Sequence, residues 1–385
     1  MTDTVSIDGF LAASVRSLRA QVEARWTLPD SIGWKDVWER IEYHGIPLLL
    51  HNNAGGLDGW PEALLERIGE EARLMVLWET THHKTVSALV RALHEAGIES
   101  VLMKGTALAY SLHEEPAVRR RGDTDLLVRP QFRERTRAIF EKLGWYRRID
   151  PHGLYYQEGW LHDAAGFFVH SVDLHWEPSD RPVLQGIIPI DAFFDAKAPV
   201  PRFCEGAFRP DLPTMMLHAT INQKWHALHG YDAEGGRLVS PRRLIWSIDF
   251  DLMARGMTPQ DWQRLQEHCQ RHGVGALVAH SLRGMVQDLH SELPAGLIDA
   301  LDREPLNPTL ARYFDDPDSL GQFWIDLRKA RSLDQKWRLF AMRAFPPRDH
   351  LLDKYPAAKG WPTPLLQGRL LFETAGRAVR RAVSR

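Results

Sequence analysis

Cysteine is scarce in this chain of 385 residues, and its scarcity excludes two kinds of scaffold. Only Cys204 and Cys269 are present, so neither a disulfide framework nor a zinc site made of cysteines alone can be built. The chain also lacks a strong charge of one sign, because its formal net charge is −2. Proteins that bind long nucleic acid usually present a strongly basic face, so this balance argues against long nucleic acid as the main partner.

Long apolar runs are missing too. Stretches such as Ile46–Leu50 are far shorter than the roughly 20 residues that a membrane-spanning helix needs. The first 21 residues contain no basic leader followed by a long apolar segment, so we expect no secretion signal and a cytoplasmic location. Hydrophobic residues make up 44% and charged residues 25%. This composition is typical of a soluble globular protein, and the length of 385 residues suggests two or three domains.

The first 95 residues have mainly helical patterns. The segment 34–43 is amphipathic and is followed by Gly45, which is expected to end the helix, and Pro61 stands where another helix would begin. One face of a later helix is predicted by apolar residues at i, i+3, i+4 and i+7, namely Val86, Leu89, Val90 and Leu93. Gly97 is placed to cap the end of that helix.

A mixed block follows, in which strands and helices alternate. The patterns predict strands at 98–103, 123–128, 154–157 and 167–176, with helices at 106–113 and from Phe132 to Gly144. From Leu212 to the end the pattern is helical. We therefore predict an α/β core with helical attachments, divided into a helical region (1–80), an α/β domain (81–205) and a C-terminal helical domain (206–385).

Asp123 and Asp125 are the first candidate site residues. Alternate residues of a strand point to the same face, so the two carboxylates would project together and repel each other unless a cation lies between them. Such a pair is typical of a magnesium site, since Mg²⁺ prefers oxygen ligands. Taken alone, an Asp-x-Asp pair is weak evidence, and a solvated strand edge explains it better.

The turn Lys104-Gly105-Thr106 lies upstream, between a predicted strand and a predicted helix. Glycine allows backbone amides to approach a phosphate, the helix N-terminus adds positive potential, and Lys104 and the Thr106 hydroxyl can contact a triphosphate. A tight turn with an N-capping threonine is the alternative.

Asp173 lies in a strand whose neighbours are mostly apolar, an unfavourable place for a carboxylate without a partner. If its strand lies beside that of Asp123 and Asp125, three carboxylates converge. Asp173 would then help to hold the metal and accept the proton of an attacking hydroxyl. A buried Asp–His pair or a salt bridge to arginine remains the alternative.

These pieces together resemble the bacterial nucleotidyltransferase family proteins, an uncharacterised branch of the polymerase-β-like nucleotidyltransferase superfamily. The resemblance rests on the segments LMKGTALAYSLHEEPAVRRRGDTDLLV, KLGW and VDLHWE, with a weaker similarity at RRLIWSID. Its pattern includes an arginine four residues before the first aspartate, here Arg119. Gly105-Thr106 departs mildly from the usual Gly-Gly or Gly-Ser.

The resemblance implies a small mixed sheet flanked by helices that binds a nucleoside triphosphate with Mg²⁺ or Mn²⁺. Asp123, Asp125 and Asp173 would be catalytic and hold the metal, and Lys104, Gly105, Thr106 and Arg119 would bind the nucleotide. The function implied is transfer of a nucleoside monophosphate to a hydroxyl, phosphate or amine, with release of pyrophosphate. The acceptor would be a small molecule, peptide or protein.

The opposite wall of the cleft is expected to come from the helical region after Leu212, with His218, Asn222, Lys224 and Asp249 as candidates. His218, His226 and His229 fall on one helical face, which would suit zinc, but no Cys or carboxylate completes a zinc motif. Arg120 and Arg121 either grip phosphates or form a solvated loop. Trp225 and Trp246 either stack on a base or pack internally.

Two other functions stay open on the sequence. A protein of the same fold that only senses nucleotide or binds a partner would not need the full aspartate set, which is present. An enzyme adding nucleotides to RNA would need a compact basic segment, which we do not find.

Arg377, Arg380, Arg381 and Arg385 lie on one face of a basic C-terminal helix. Apart from that helix, which an anionic membrane could attract, the sequence argues against membrane association.

Overall fold

The N-terminal part of the molecule is helical, as predicted. The structure is a computed structural model that describes residues 2–147, 156–164, 168–233, 236–238, 242–315, 319–346 and 348–383. Its first elements are α1 (Thr2–Arg19), β1 (Ala24–Arg25), α2 (Trp34–His44), α3 (Pro47–Asn52), β2 (Leu57–Asp58) and α4 (Glu62–Glu95).

Local sequence signals place the ends of these helices correctly. Gly45 follows α2 with φ +71°, and its N–H donates to the carbonyls of Ile41 and Glu42, because glycine tolerates the left-handed conformation that closes a helix. The predicted apolar face of α4 is fully buried, with Val86, Leu89, Val90 and Leu93 at 0% exposure. Burial of each such side chain contributes about 1.5–3 kcal/mol.

The central part forms a mixed sheet of seven strands. Its elements are β3 (Ser100–Met103), α5 (Lys104–Ser111), β4 (Asp123–Val128), α6 (Arg133–Lys142), β5 (Tyr146–Arg147), β6 (Gln157–Ala164), β7 (Phe168–His175), α7 (Pro182–Gln185), α8 (Ile190–Asp195), β8 (Ala198–Pro199) and β9 (Ala207–Arg209). The strand order is β5-β6-β7-β4-β3-β9-β8. β4 is parallel to β7 and antiparallel to β3, so it lies at the centre of the sheet.

The interior strands β3 and β4 are almost entirely buried. All four residues of β3 are buried, as are Thr124 to Val128 of β4. Such strands give continuous hydrophobic runs, which is why β3 and β4 were identified from the sequence. The predicted strand at 154–157 was placed too early, since β6 begins at Gln157; residues 154 and 155 lie outside the described part of the chain.

The C-terminal part is mainly helical. It contains α9 (Leu212–His229), β10 (Tyr231–Ala233), β11 (Gly236–Leu238), α10 (Leu244–Gly256), α11 (Pro259–His272), α12 (Gly275–Leu289), α13 (Leu297–Arg303), α14 (Pro308–Asp315), α15 (Ser319–Lys329), α16 (Leu333–Ala344), α17 (Arg348–Lys354) and α18 (Thr363–Val383). The short antiparallel pair β10–β11 corrects the expectation of helix throughout this region.

The helical attachments pack closely with the rest of the chain. α4 runs through the proposed boundary at residue 80, and β9, beyond the boundary at 205, joins the sheet. The N-terminal core also includes Leu244, Ile248 and Leu289 from α10 and α12. The three-part division therefore stays a proposal about units that share helices, strands and core. Among the described residues, no helix is long and apolar enough to cross a bilayer.

Candidate metal and nucleotide site

The site begins at the N-terminal end of β4. Asp123 and Asp125 are two residues apart on this strand, so they project from the same face of the sheet. Asp125 is only 5% exposed, whereas Asp123 is open to solvent. Crowding by protein on its inner side, together with the charge of Asp125, raises the pKa of Asp123 to about 6. Two carboxylates are therefore held close together at one end of a central strand.

Asp173 joins them from the adjacent strand. It is the register partner of Asp125 in the parallel pair β4–β7, which places it on the same face of the sheet. One of its oxygens accepts a hydrogen bond of 2.6 Å from the Gln157 side chain on β6. The structure thus brings the three predicted aspartates to one face.

Lys104 supplies the positive charge that these carboxylates need. Its ammonium donates to Oδ1 of Asp125 at 2.6 Å. Burial opposes that charge, but Asp125, with smaller contributions from Asp123 and Asp173, raises the pKa of Lys104 above its ordinary value. The backbone of Lys104 has φ +47°, a conformation that costs non-glycine residues energy and that tends to occur at functional sites.

His175 is the site residue that the sequence analysis missed. It lies two residues after Asp173 on β7, on the same face, and its Nε2 is 2.9 Å from Oδ1 of Asp125. Burial lowers the pKa of His175, so the neutral ring donates this hydrogen bond. The alternation of the segment Asp-Leu-His could have revealed it. The Asp–His pair that we had considered as an alternative does form, but the aspartate is Asp125.

Electrostatics hold Asp125 ionised. Burial by itself would raise the pKa of Asp125, but the Lys104 ammonium and the hydrogen bond from His175 outweigh it and keep the pKa well below its usual range. One ligand atom from each of Asp125, Asp173 and His175 lies within 4.8 Å of the others. Carboxylate oxygens and one imidazole nitrogen at this spacing fit a divalent cation.

Gly105 and Thr106 lie in the first turn of helix α5, and both take part in packing inside the protein. A Cβ on Gly105 would stand 3.3 Å from the Arg121 side chain, so a larger residue here would require Arg121 to shift. The Thr106 hydroxyl is buried and bonds Oγ1 of Thr124 at 2.9 Å. Thr124 points to the opposite face of β4 from Asp123 and Asp125, so this hydroxyl is bonded away from the carboxylates, and its contact with a phosphate stays a prediction.

The three consecutive arginines before β4 are all paired with carboxylates rather than forming a solvated loop, and their contact with phosphates stays a prediction. The carboxylate partners come from three different helices: Asp249 pairs with Arg119, Glu42 and Glu71 pair with Arg120, and Glu79 pairs with Arg121. Each pair ties the loop to a neighbouring helix. These ion pairs therefore hold the loop that leads into Asp123 against three helices.

A cleft opens between this face of the sheet and helices α9 and α10. It contains about 520 Å³ of space between protein atoms, open solvent included, and its lining includes Lys104, Arg119, His218, Asn222, Trp246 and Asp249. Burial lowers the pKa of His218 to about 3, so this ring is neutral. Lys224 is not among the described residues that line this cleft; it lies near His280, whose pKa is lowered by burial and, to a smaller extent, by the Lys224 charge.

The zinc alternative finds no support in the described residues. Among them, the group formed by Asp125, Asp173 and His175 is the one whose ligand atoms converge. His226 is instead hydrogen-bonded to the carbonyl of Gly230 at 3.2 Å. The spacing of the histidines on α9 predicted a shared face but could not show what each ring contacts.

Comparison with known proteins agrees with the expected family. A family model described as "Uncharacterised nucleotidyltransferase" matches residues 30–289, about two thirds of the chain. No curated protein and no solved structure gives a significant match. The matched residues include the seven-stranded sheet, the cleft and helices α2 to α12.

Proposed function

This chain belongs to the family of uncharacterised nucleotidyltransferases, and on that premise we propose that it transfers a nucleoside monophosphate from a triphosphate to an acceptor. The acceptor is a hydroxyl, phosphate or amine of a small molecule, peptide or protein, and pyrophosphate is released. We further propose that the sheet is of the polymerase-β-like type. The observation that carries the proposal is the placement of Asp123, Asp125 and Asp173 around Lys104 on one face of the sheet, beside the cleft.

We propose that Asp123, Asp125 and Asp173 hold Mg²⁺, with Mn²⁺ as a substitute. Oxygen ligands suit both ions, and a divalent ion would offset the repulsion among these carboxylates more fully than the single charge of Lys104 does. A bound divalent ion neutralises phosphate charge and stabilises the charge that develops during transfer. His175 has the geometry either to orient Asp125 by its hydrogen bond or to add a nitrogen ligand.

Lys104 has two roles in this proposal. In the structure its ammonium neutralises Asp125, and in the substrate complex it donates to the β or γ phosphate. The exposed part of its side chain, 29%, faces the cleft and leaves room for this change of partner. We propose that the backbone amides of Gly105 and Thr106, in the first turn of α5, bind the same phosphates.

Asp173 is the proposed general base. It is half-buried and keeps one oxygen on Gln157. As the acceptor oxygen bonds to the α phosphorus, the bond to pyrophosphate breaks and the acceptor proton passes to the Asp173 carboxylate. Gln157 would hold that carboxylate in place throughout.

The cleft wall supplies the remaining contacts. Trp246 is available to pack against a base, and His218 and Asn222 are available for polar contacts with base or acceptor. The Arg119–Asp249 ion pair, at 2.8 Å, fixes α10 against the loop before β4. Arg119 therefore contributes positive charge to the cleft from a fixed position.

The test is labelling from each of the four α-labelled triphosphates in a cell extract, with purified protein and Mg²⁺ or Mn²⁺. We expect label on one acceptor class with wild type and none with Asp125→Asn, while Asp191→Asn, an exposed carboxylate paired with Arg129 elsewhere, serves as the control. His175→Gln retains a side-chain donor for Asp125. If this variant still labels the acceptor, His175 serves to orient Asp125; if it no longer binds metal, His175 is a metal ligand. Absence of both labelling and triphosphate binding with wild type would contradict the proposal and favour a partner-binding protein.

A further inference from the structure

Charge is distributed very unevenly along this nearly neutral chain. Residues 319–385, which we call the C-terminal segment, hold fourteen Lys and Arg but only five Asp and Glu. The preceding 318 residues hold thirty-four basic and forty-five acidic residues. An excess of nine positive charges is thus concentrated in about one sixth of the chain. Such asymmetry is typical of a segment that binds a polyanion or an anionic surface.

The same segment exposes an unusual share of apolar side chains. Sixteen large hydrophobic residues are exposed among the described residues, and nine of them lie in the C-terminal segment. Isolated exposed apolar residues are ordinary, but a concentration of them on a few helices marks an interaction surface.

Helix α16 carries the clearest stripe. Leu333, Trp337 and Phe340 fall at i, i+4 and i+7, which is one face of a helix, and they are 84%, 65% and 46% exposed. The rings of Trp337 and Phe340 stack with centroids 6.0 Å apart. Lys336 lies on the same helix beside this stripe. An apolar stripe flanked by cations is typical of a helix that lies in a membrane interface.

Helix α18 repeats the arrangement. Leu365 and Phe372, seven residues apart, are 59% and 83% exposed. The Arg369 guanidinium lies 6.0 Å from the ring of Trp361, which is itself exposed. The side chain of Gln367 donates to the carbonyl of Pro346 at 3.2 Å, which ties α18 to the segment just after α16.

We propose that the C-terminal segment binds the surface of an anionic lipid bilayer, with Leu333, Trp337 and Phe340 inserted among the headgroups. A bilayer of this kind supplies negative charge and an apolar layer together, which matches both features of the segment. Tryptophan is also the residue most typical of the boundary between headgroups and acyl chains.

Two other occupants fit the surface less well. Single-stranded nucleic acid stacks its bases on flat rings, and six of the nine exposed residues offer such rings, but the exposed leucines Leu333, Leu365 and Leu371 would stay in water beside it, whereas a bilayer buries leucine and aromatic side chains alike. A symmetric dimer through this face would place nine excess positive charges against nine others, which like-charge repulsion opposes. This proposal does not depend on the chemistry assigned to the cleft.

The experiment is flotation of the full-length protein with vesicles of phosphatidylglycerol and phosphatidylcholine, mixed at about 3:7. We expect binding that is weak or absent on pure phosphatidylcholine and that falls about tenfold or more when the salt concentration is raised to about 0.5 M. The variant Leu333→Ser/Trp337→Ser should lose about tenfold in affinity. The control Leu74→Ser/Leu77→Ser removes two residues, each 51% exposed, from α4 and should bind like wild type.

The outcomes separate the alternatives. Binding lost in the α16 variant and kept in the α4 control supports the proposal, and Leu365→Ser/Phe372→Ser provides a second test if the first variant does not fold. No binding of wild type to anionic vesicles overturns it. Equal vesicle binding by wild type and all variants also overturns it. So does a wild-type protein that binds no vesicles but forms a concentration-dependent dimer that the α16 variant abolishes. Binding of a homopolymeric RNA without vesicle binding would assign the surface to nucleic acid.

Discussion

Replacing Lys104 with methionine tests whether its ammonium stands in for a divalent cation. Methionine keeps a similar length and removes the charge that Asp125 contacts at 2.6 Å. Three carboxylates would then surround a position with no cation. We expect opposite effects on the two ligands: Lys104→Met should bind Mg²⁺ or Mn²⁺ more tightly than wild type and a triphosphate more weakly.

The structure sets the expected magnitudes. Breaking a buried ion pair costs about 3–5 kcal/mol, but the Lys104 side chain is 29% exposed and Asp125 keeps its hydrogen bond from His175. We therefore expect a loss of about 2 kcal/mol in the free energy of unfolding without metal. A unit charge about 4 Å away interacts by about 4 kcal/mol at an effective dielectric constant of 20. Because the lysine can turn toward solvent, about 1–3 kcal/mol of this should appear as a gain in metal affinity.

The assay is chemical unfolding and calorimetric titration, each with and without metal. Arg137→Met is the matched control, because Arg137 forms a comparable ion pair with Glu158. The side chains of this pair are 25% and 12% exposed, close to the 29% and 7% of Lys104 and Asp125. Glu158 lies on the opposite face of β6 from Gln157 and the site. Metal should restore most of the stability lost in Lys104→Met and none of that lost in Arg137→Met.

Two results would refute this reasoning. Metal affinity that is unchanged or weaker in Lys104→Met would show that its ammonium does not occupy the cation position. Triphosphate affinity reduced by less than about 1 kcal/mol would remove Lys104 from the phosphate contacts, since a charge-assisted contact is worth about 1–3 kcal/mol.

Three further predictions concern the charges around the site. Contacts with His82 and Arg121 outweigh burial and lower the pKa of Glu79 from 4.5 to about 2, so Glu79→Gln should cost about 3 kcal/mol of stability at pH 7. That difference from wild type should shrink in unfolding curves as the pH falls from 4.5 toward 2, and a pH-independent difference would contradict it. Asp123→Asn should raise the stability of the metal-free protein by up to about 1 kcal/mol, since the group is exposed, and should abolish labelling; a large loss of stability would indicate a structural aspartate. Asp249→Asn should cost about 3–5 kcal/mol by leaving Arg119 buried and unpaired, and a thermal midpoint equal to that of wild type would contradict that estimate.

Local patterns in the sequence determined much of the secondary structure and pointed to the candidate aspartates. The bounds of β4, the ends of α2 and the buried face of α4 follow from apolar periodicity and glycine positions, which depend only on neighbouring residues. The Asp-x-Asp pair shares a face because strands alternate, whatever the rest of the fold does.

Only the tertiary structure decided which partners these residues have. The sequence could not show that β7 lies parallel to β4 in a register that sets Asp173 opposite Asp125, or that His175 bonds Asp125. The partners of Arg119 and of the Thr106 hydroxyl were hidden for the same reason, because Asp249 and Thr124 come from other segments of the chain. Periodicity fixes the direction of a side chain relative to its own element, whereas the charge or donor it meets depends on how elements far apart in sequence pack together.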